Sequence, residues 1–223
     1  MINAAAVIAG GVAGLIFKGK ISEKISDTVT RAIGLCVCVI GISGALDGDN
    51  MLLVAALVLG AFTGELLNID GNLNNLGAYL QKKLRKNDTE SSFAEGFVTA
   101  TLLFCIGAMA VVGSIESGLI NDQSVIITKS ILDATAAMVF ASSLGIGVLF
   151  SAASVFIYQG AIEFFAGFLQ NILTTELVTQ ISAAGSVMIL GLGVNMSFGA
   201  KIKVANLLPG LVFAAGYYYL FLN

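Results

Sequence analysis

This sequence contains no histidine and no tryptophan, and it has one proline and three cysteines among 223 residues. The absence of histidine removes the side chain that most often shuttles protons and ligates metals. The cysteines, Cys36, Cys38 and Cys105, lie in apolar runs and form no C-x-x-C pair. This pattern favours small core residues over redox or metal chemistry. We therefore expect no cofactor, no metal site and no enzymatic activity.

Charge is also scarce, since charged residues make up 11% of the chain and hydrophobic residues 57%. A soluble domain carries about 25% charged residues, because its surface must be solvated. The net charge of −3 is too small to indicate nucleic-acid binding. These numbers predict an all-α, polytopic membrane protein whose main partner is the lipid bilayer.

Apolar stretches divide the chain into eight predicted transmembrane helices within a single domain, 1–223. A spanning helix needs about 20 residues, with about 17 as a practical minimum. The first stretch is marginal, and 141–173 is compatible with one long helix or with two pieces. The stretches are 3–17, 31–46, 51–69, 93–115, 126–144, 146–171, 178–197 and 203–222.

The basic residues predict the orientation of these helices. If the eight segments cross in turn, every lysine and arginine except Lys129 falls in loops on one face. The positive-inside rule makes that face cytoplasmic. We therefore expect a multi-pass protein of the bacterial inner membrane with both termini outside. The residues on this face are Lys18, Lys20, Lys24, Arg31, Lys82, Lys83, Arg85, Lys86, Lys201 and Lys203.

The segment 71–92 has a different pattern, in which leucines recur at steps of three and four beside a group of cations. This spacing predicts an amphipathic helix on the inner leaflet, with its cations near anionic headgroups. A solvated cytoplasmic loop is the alternative. The cations are Lys82, Lys83, Arg85 and Lys86.

The chain resembles itself at an offset of about 150 residues. Residues 54–60, Val-Ala-Ala-Leu-Val-Leu-Gly, match residues 204–210, Val-Ala-Asn-Leu-Leu-Pro-Gly, and Gly10 falls opposite Gly160. Helices 1–3 (1–70) therefore resemble helices 6–8 (146–223), with a central pair in 93–145. A shift of five helices gives the two copies opposite orientations. Inverted repeats are a recurrent transporter architecture, with binding sites near the midplane.

Ionisable residues within spanning helices are costly and mark functional positions. Lys129 and Asp133 are four residues apart, so they share one helix face and can pair. We expect them to bind a substrate or ion; an ion pair that only tethers helices is the alternative. Glu163, beside Tyr158 and Gln159, is predicted to share their cavity, or else to reach water at a helix end.

A second group of residues is predicted to interrupt helices 7 and 8. Gly191, Gly193 and Asn195 fall in helix 7, and Asn206 and Pro209 in helix 8. Asparagine side chains and unwound carbonyls coordinate ions in broken transporter helices. Packing alone is the other interpretation.

Glycines at a spacing of four also occur in helix 3, where Gly60 and Gly64 precede Glu65. This spacing favours close helix packing, either within the fold or across a homodimer. We expect Glu65 to reach the cytoplasm from the inner end of the helix.

Four runs of residues resemble the YqgA-like family of bacterial inner-membrane proteins, a domain of unknown function. The resemblance covers essentially the whole chain, and the labels attached to such families range over ion channels and pumps. It implies a membrane protein and carries over no catalytic residue. The four runs are 105–115 (CIGAMAVVGSI), 128–133 (TKSILD), 140–148 (FASSLGIGV) and 202–209 (IKVANLLP).

Our functional hypothesis is a secondary transporter or exchanger of a small solute or monovalent ion. Two alternatives remain open. A passive ion channel would conduct through an oligomeric pore, and a non-transporting scaffold or sensor would act through its basic amphipathic helix.

Overall fold

The computed structural model describes residues 1–18, 23–84, 91–105 and 108–221. Within these ranges the regular structure is helical, as the composition predicts. One 3₁₀ turn, Val204–Leu207, accompanies eleven α-helices. The helices are α1 (Ile2–Lys18), α2 (Glu23–Ala45), α3 (Asn50–Leu66), α4 (Ile69–Leu84), α5 (Ser91–Cys105), α6 (Ala108–Ile120), α7 (Ser124–Leu144), α8 (Gly147–Phe164), α9 (Ala166–Leu169), α10 (Thr175–Phe198) and α11 (Pro209–Phe221).

Between four and six of the described segments are long and apolar enough to cross a membrane. α7, α8, α10 and the stretch Val204–Phe221 pass singly. Two bent pairs raise the number to six: α3 with Ile69–Asn75, at 55°, and Gly96–Cys105 with Met109–Ile120, at 58°. Ile2–Ile16 and Thr30–Ala45 are shorter apolar helices. The count of eight crossings stays a prediction.

Local sequence explains where several helices begin and end. The Asp49 side chain accepts a hydrogen bond from the Leu52 N–H at 2.8 Å, which caps the start of α3. Gly145, with φ of 84°, ends α7, so residues 141–173 form separate helices. Gly199, with φ of 67°, ends α10 in the left-handed conformation that glycine tolerates. Pro209 begins α11, where its missing N–H needs no partner.

The chain forms two compact units. The first unit comprises Met1–Val29 and Asn74–Ile172, and the second comprises Thr30–Leu73 and Leu173–Asn223. Each unit therefore combines helices from both predicted repeats.

In the first unit, α1 lies directly against α7. Gly10 packs on the backbone of Ala134 and Gly14 on that of Met138, so closely that a methyl group at either glycine would overlap a carbonyl. From Gly10 to Gly14 on α1 the contact on α7 also moves forward by four residues, from Ala134 to Met138, so the two helices run parallel. Small residues permit such close approach in membrane proteins.

The first unit contains a second parallel pair, α5 and α8. Gly147 packs on the backbone of Phe93, and the Thr101 hydroxyl donates to Ser154 at 3.3 Å. α8 runs antiparallel to α1, because Asn3 meets Gln159 while Gly11 meets Leu149.

In the second unit, two antiparallel pairs pack through glycine. α2 meets α10 where Gly34 contacts Ser197 and Gly41 contacts Leu190. α3 meets α11 where Gly60 lies on Gly210.

The predicted interruption of helix 7 is wrong, because α10 is continuous from Thr175 to Phe198. Gly191 and Gly193 lie inside this helix, and both are buried. Gly193 packs against the backbone and sulfur of Cys38 on α2. These glycines therefore serve close packing, which the sequence pattern could not distinguish from a break.

Two glycines of the first unit give a matched test of this packing. We expect Gly10→Ala to destabilise the protein by about 1–3 kcal/mol, because the methyl group forces α1 away from α7. Gly160→Ala should be neutral or stabilising by up to about 1 kcal/mol, because no described atom lies within 4 Å of the new methyl group and alanine favours helix. Thermal unfolding of the purified variants in detergent measures both; equal shifts would contradict the packing described here.

Candidate functional site

Four polar side chains meet inside the first unit, at the junction of α1, α7 and α8. Lys129 Nζ donates to Asp133 Oδ2 at 2.5 Å, and Asn3 Nδ2 donates to the same oxygen at 2.8 Å. Asn3 Nδ2 also donates to Gln159 Oε1 at 3.2 Å. We call Asn3, Lys129, Asp133 and Gln159 the Asp133 cluster.

The Asp133 cluster is shielded from its surroundings. Asn3 is 0% exposed, Gln159 3%, Lys129 6% and Asp133 7%. A buried charge is tolerated when an opposite charge and further hydrogen bonds compensate it. Lys129 and Asn3 provide that compensation for the Asp133 carboxylate.

Within the described part of the chain, two atoms of this cluster lack a hydrogen-bond partner. They are Asn3 Oδ1 and Gln159 Nε2, both fully buried. Buried polar atoms are nearly always bonded, so an unbonded pair needs an explanation. One is an acceptor and the other a donor, and a bound polar molecule could satisfy both.

The fold positions the cluster through helix spacing and close packing. Lys129 and Asp133 lie one turn apart on α7, and Asp133 is the tenth of its 21 residues. Asn3, Gly10 and Gly14 are spaced by seven and four residues, which places them on one face of α1. The face that packs on α7 therefore also carries Asn3. Our sequence reasoning did not select Asn3, although this spacing was a usable signal.

Glu163 and Tyr158 lie on α8 but outside the Asp133 cluster. The half-buried Glu163 accepts a hydrogen bond from the Ser117 hydroxyl of α6 at 2.9 Å. Tyr158 lines an apolar groove with Ile162 and Phe165. The expectation that Glu163 and Asp133 share one cavity is not tested, but Glu163 is one turn beyond Gln159 on the same helix.

A second polar group lies in the second unit, around Asn206. Asn206 Nδ2 donates to Glu65 Oε2 at 2.6 Å, and Asn206 Oδ1 accepts the Asp70 N–H at 2.7 Å. Lys203 Nζ donates to Glu65 Oε1 at 2.5 Å. The hydrogen bond and charge of Glu65 raise the pKa of Lys203 above its ordinary value. Asn206 thus links α3, the start of α4 and the 3₁₀ turn.

Asn195 makes a similar local connection. Its Nδ2 donates to the Ile202 carbonyl at 2.8 Å, and its Oδ1 accepts the Ile202 N–H at 3.0 Å. The amide therefore holds the loop between α10 and the 3₁₀ turn. Gly64 packs against the Asn206 backbone, which brings α3 onto the same turn.

The predicted basic helix overlaps α4, which runs from Ile69 to Leu84. Lys82 and Lys83 belong to this helix. Arg85 and Lys86 lie outside the described residues.

The apolar helices and the buried polar cluster together define the class: an all-α membrane protein. The chain belongs to the family described as protein of unknown function DUF554, which it matches over residues 1–219. It is 31% identical to the uncharacterized membrane protein YdfK of Bacillus subtilis (strain 168), over 95% of this chain and 91% of the relative. It is 32% identical to the uncharacterized protein YqgA of Escherichia coli (strain K12), over 96% and 92% respectively. No solved structure matches.

A double-mutant cycle tests the ion pair of the cluster. Asp133→Asn and Lys129→Met should each cost about 3–5 kcal/mol, because each leaves the other charge buried and unpaired. The double variant should cost less than the sum by about 1–3 kcal/mol. Thermal unfolding in detergent gives the three values, and strict additivity would show that the two charges are not coupled.

The hydrogen bonds of Asn206 to Glu65 and Asp70 give a separate prediction. Asn206→Leu should destabilise the protein by about 1–3 kcal/mol, because the part-buried Asp70 N–H and the Glu65 carboxylate each lose the hydrogen bond to Asn206. Lys203→Met should cost much less, since the Lys203–Glu65 pair is exposed to solvent. The order of the two unfolding temperatures is the readout, and a larger loss for Lys203→Met would contradict the assignment.

Proposed function

We propose that this protein is a secondary transporter or exchanger that carries a small solute or monovalent ion across the bacterial inner membrane. The Asp133 cluster is the observation that carries the proposal. Ionisable residues within spanning helices cost about 2.5–3.5 kcal/mol each on insertion scales, and they commonly mark transport pathways. The unbonded buried donor and acceptor support a bound polar group in addition to the contacts that join α1, α7 and α8.

The directions of the helix pairs support a path of eight crossings. In the first unit, α1 and α7 run parallel, α5 and α8 run parallel, and α1 and α8 run antiparallel. In the second unit, α2 opposes α10 and α3 opposes α11. All five relations are required if the chain crosses the membrane in alternate directions and α5 and α6 together form one crossing. The order of crossings is then α1, α2, α3, α5–α6, α7, α8, α10 and α11. This path keeps the described basic loops on the cytoplasmic face and both termini outside.

Contacts within the second unit support the inverted repeat. At the offset of 150, Gly60 corresponds to Gly210, and these two residues pack on each other. Gly41 of α2 contacts Leu190 of α10, and position 190 corresponds to Ile40. Each helix therefore meets its own counterpart near the equivalent position, as a two-fold axis through this unit would require. Outside this unit the relation is weaker, since Gly10 packs on α7 and Gly160 meets no described atom.

The roles that we assign follow from the contacts. Asp133 and Lys129 form the charge pair that couples binding to movement, and Asn3 and Gln159 hold the transported group. α1 belongs to the first repeat, α7 to the central pair and α8 to the second repeat, so the cluster draws on all three. Glu163 lies one turn beyond Gln159 towards the predicted outer end of α8, where it suits an access path. We assign Asn195 and Asn206 to structure, since both side chains are bonded within the fold.

Flux measurements in proteoliposomes test the proposal. Purified protein would be reconstituted and screened for uptake of Na⁺, K⁺, protons and small uncharged solutes. Asp133→Asn should reduce the flux by about ten-fold or more, because loss of one buried charged hydrogen bond costs more than about 1.4 kcal/mol. Ser114→Ala is the matched control, because Ser114 is also buried but its described hydrogen bond goes to the Ala110 carbonyl of its own helix.

The control and the variant must both be monodisperse in detergent and equally reconstituted. Flux that Asp133→Asn leaves at the wild-type level would remove Asp133 from the mechanism. No flux of any probe through the wild-type protein would reject the transport proposal.

A further inference from the structure

The unbonded atoms of the Asp133 cluster define the chemistry of what it binds. We infer that the transported group is a small uncharged solute with an amide or hydroxyl function, and this inference rests on the proposed transport function. The ligand accepts a hydrogen bond from Gln159 Nε2 and donates one to Asn3 Oδ1. Both atoms are buried, and no described residue bonds to either of them.

The orientation of the two amides is fixed by Asp133. If Asn3 were turned over, its Oδ1 would face the Asp133 carboxylate oxygen, and two acceptors would meet. Asn3 Nδ2 must therefore face Asp133 Oδ2, as it does at 2.8 Å. The same Nδ2 group donates to Gln159 at 3.2 Å, which requires the Gln159 oxygen at that position. Gln159 Nε2 is consequently left as the open donor and Asn3 Oδ1 as the open acceptor.

One open donor and one open acceptor are the two groups that an amide can complete. Two primary amides can exchange two hydrogen bonds, and Asn3 and Gln159 make one of them. A third amide can use its carbonyl on Gln159 and its N–H on Asn3, and a hydroxyl can make both bonds through one oxygen. The buried Ser130 hydroxyl, next to Lys129 on α7, donates to the Ile126 carbonyl at 2.7 Å and so does not serve the open acceptor.

Charge balance disfavours a cation at the same place. Asp133 already faces Lys129 at 2.5 Å, so the pair contributes no net charge. A cation would meet both the Lys129 ammonium and the Gln159 donor in surroundings of low dielectric constant, where repulsion is strong. A neutral donor–acceptor solute meets neither penalty.

Urea and guanidinium provide the discriminating probes, since they are similar in size and shape but differ by one charge. Osmotic swelling of proteoliposomes would report urea entry, and radiolabelled guanidinium would report the cation. Wild-type protein should pass urea in preference to guanidinium. Gln159→Glu retains the acceptor for Asn3 but replaces the open donor by an anionic oxygen. This variant should lower urea entry by about ten-fold or more and raise guanidinium entry.

Further arms separate the possible failures. Acetamide and glycerol test the amide and the hydroxyl form of the ligand. Ser151→Ala is the control on α8, because Ser151 is buried and its described hydrogen bond goes to the Val148 carbonyl. Gln159→Met keeps the length of the side chain, so it distinguishes loss of the donor from loss of volume, and it should lower urea entry without admitting guanidinium.

The outcomes are distinct. Uptake of inorganic cations that depends on Asp133, without uptake of any uncharged probe, would overturn this inference and leave the transport proposal standing. Uptake of uncharged probes that ignores every Gln159 variant would mean that the open atoms hold only a structural water, and it would equally overturn the inference. Absence of all flux would reject the transport proposal itself.

Discussion

The first unit depends on how one buried carboxylate is compensated. Asp133 lies mid-helix in α7, where water does not solvate it, so neighbouring side chains must do so. Lys129 does this from the same helix, and Asn3 does it from α1. Asn3 reaches the carboxylate because α1 packs directly on the α7 backbone through glycine. The hydrogen bond to Asp133 therefore depends on the close packing of α1 and α7. If the two helices were further apart, the Asn3 amide would not reach the Asp133 carboxylate.

Much of this arrangement could be predicted from the sequence because it is local. Scarce charge predicts lipid-facing helices, and the spacing of Lys129 and Asp133 predicts a pair on one helix face. Asn3 could not be selected by local spacing, because its hydrogen-bond partners Asp133 and Gln159 are 130 and 156 residues away along the chain. The signal in the sequence was that Asn3, Gly10 and Gly14 lie on one face of α1. This pattern indicates a polar contact with α7 only when it is known that α7 packs on that face.

The amides of the second unit illustrate what sequence cannot distinguish. An asparagine near a glycine or proline can bind an ion, or it can hold the backbone where a helix ends. Asn195 and Asn206 satisfy N–H and carbonyl groups at such ends, where the helix itself leaves these groups without a partner. Choosing between the two roles requires the exact helix boundary, and periodicity locates boundaries only to within a few residues. The predicted interruption near Asn206 and Pro209 corresponds to the change from the 3₁₀ turn Val204–Leu207 to α11, which begins at Pro209.

The proposed repeat and the Asp133 cluster differ in which residues correspond. At the offset of 150, Asn3 corresponds to Ala153 and Gln159 to Ala9, so neither polar residue has a polar counterpart. Glycine contacts, in contrast, recur between the copies in the second unit. Packing through small residues is a requirement that both copies of a helix share, whereas a ligand needs a particular donor and acceptor only once. A duplicated scaffold can therefore keep its glycines in register while the polar residues of a single site develop in one place.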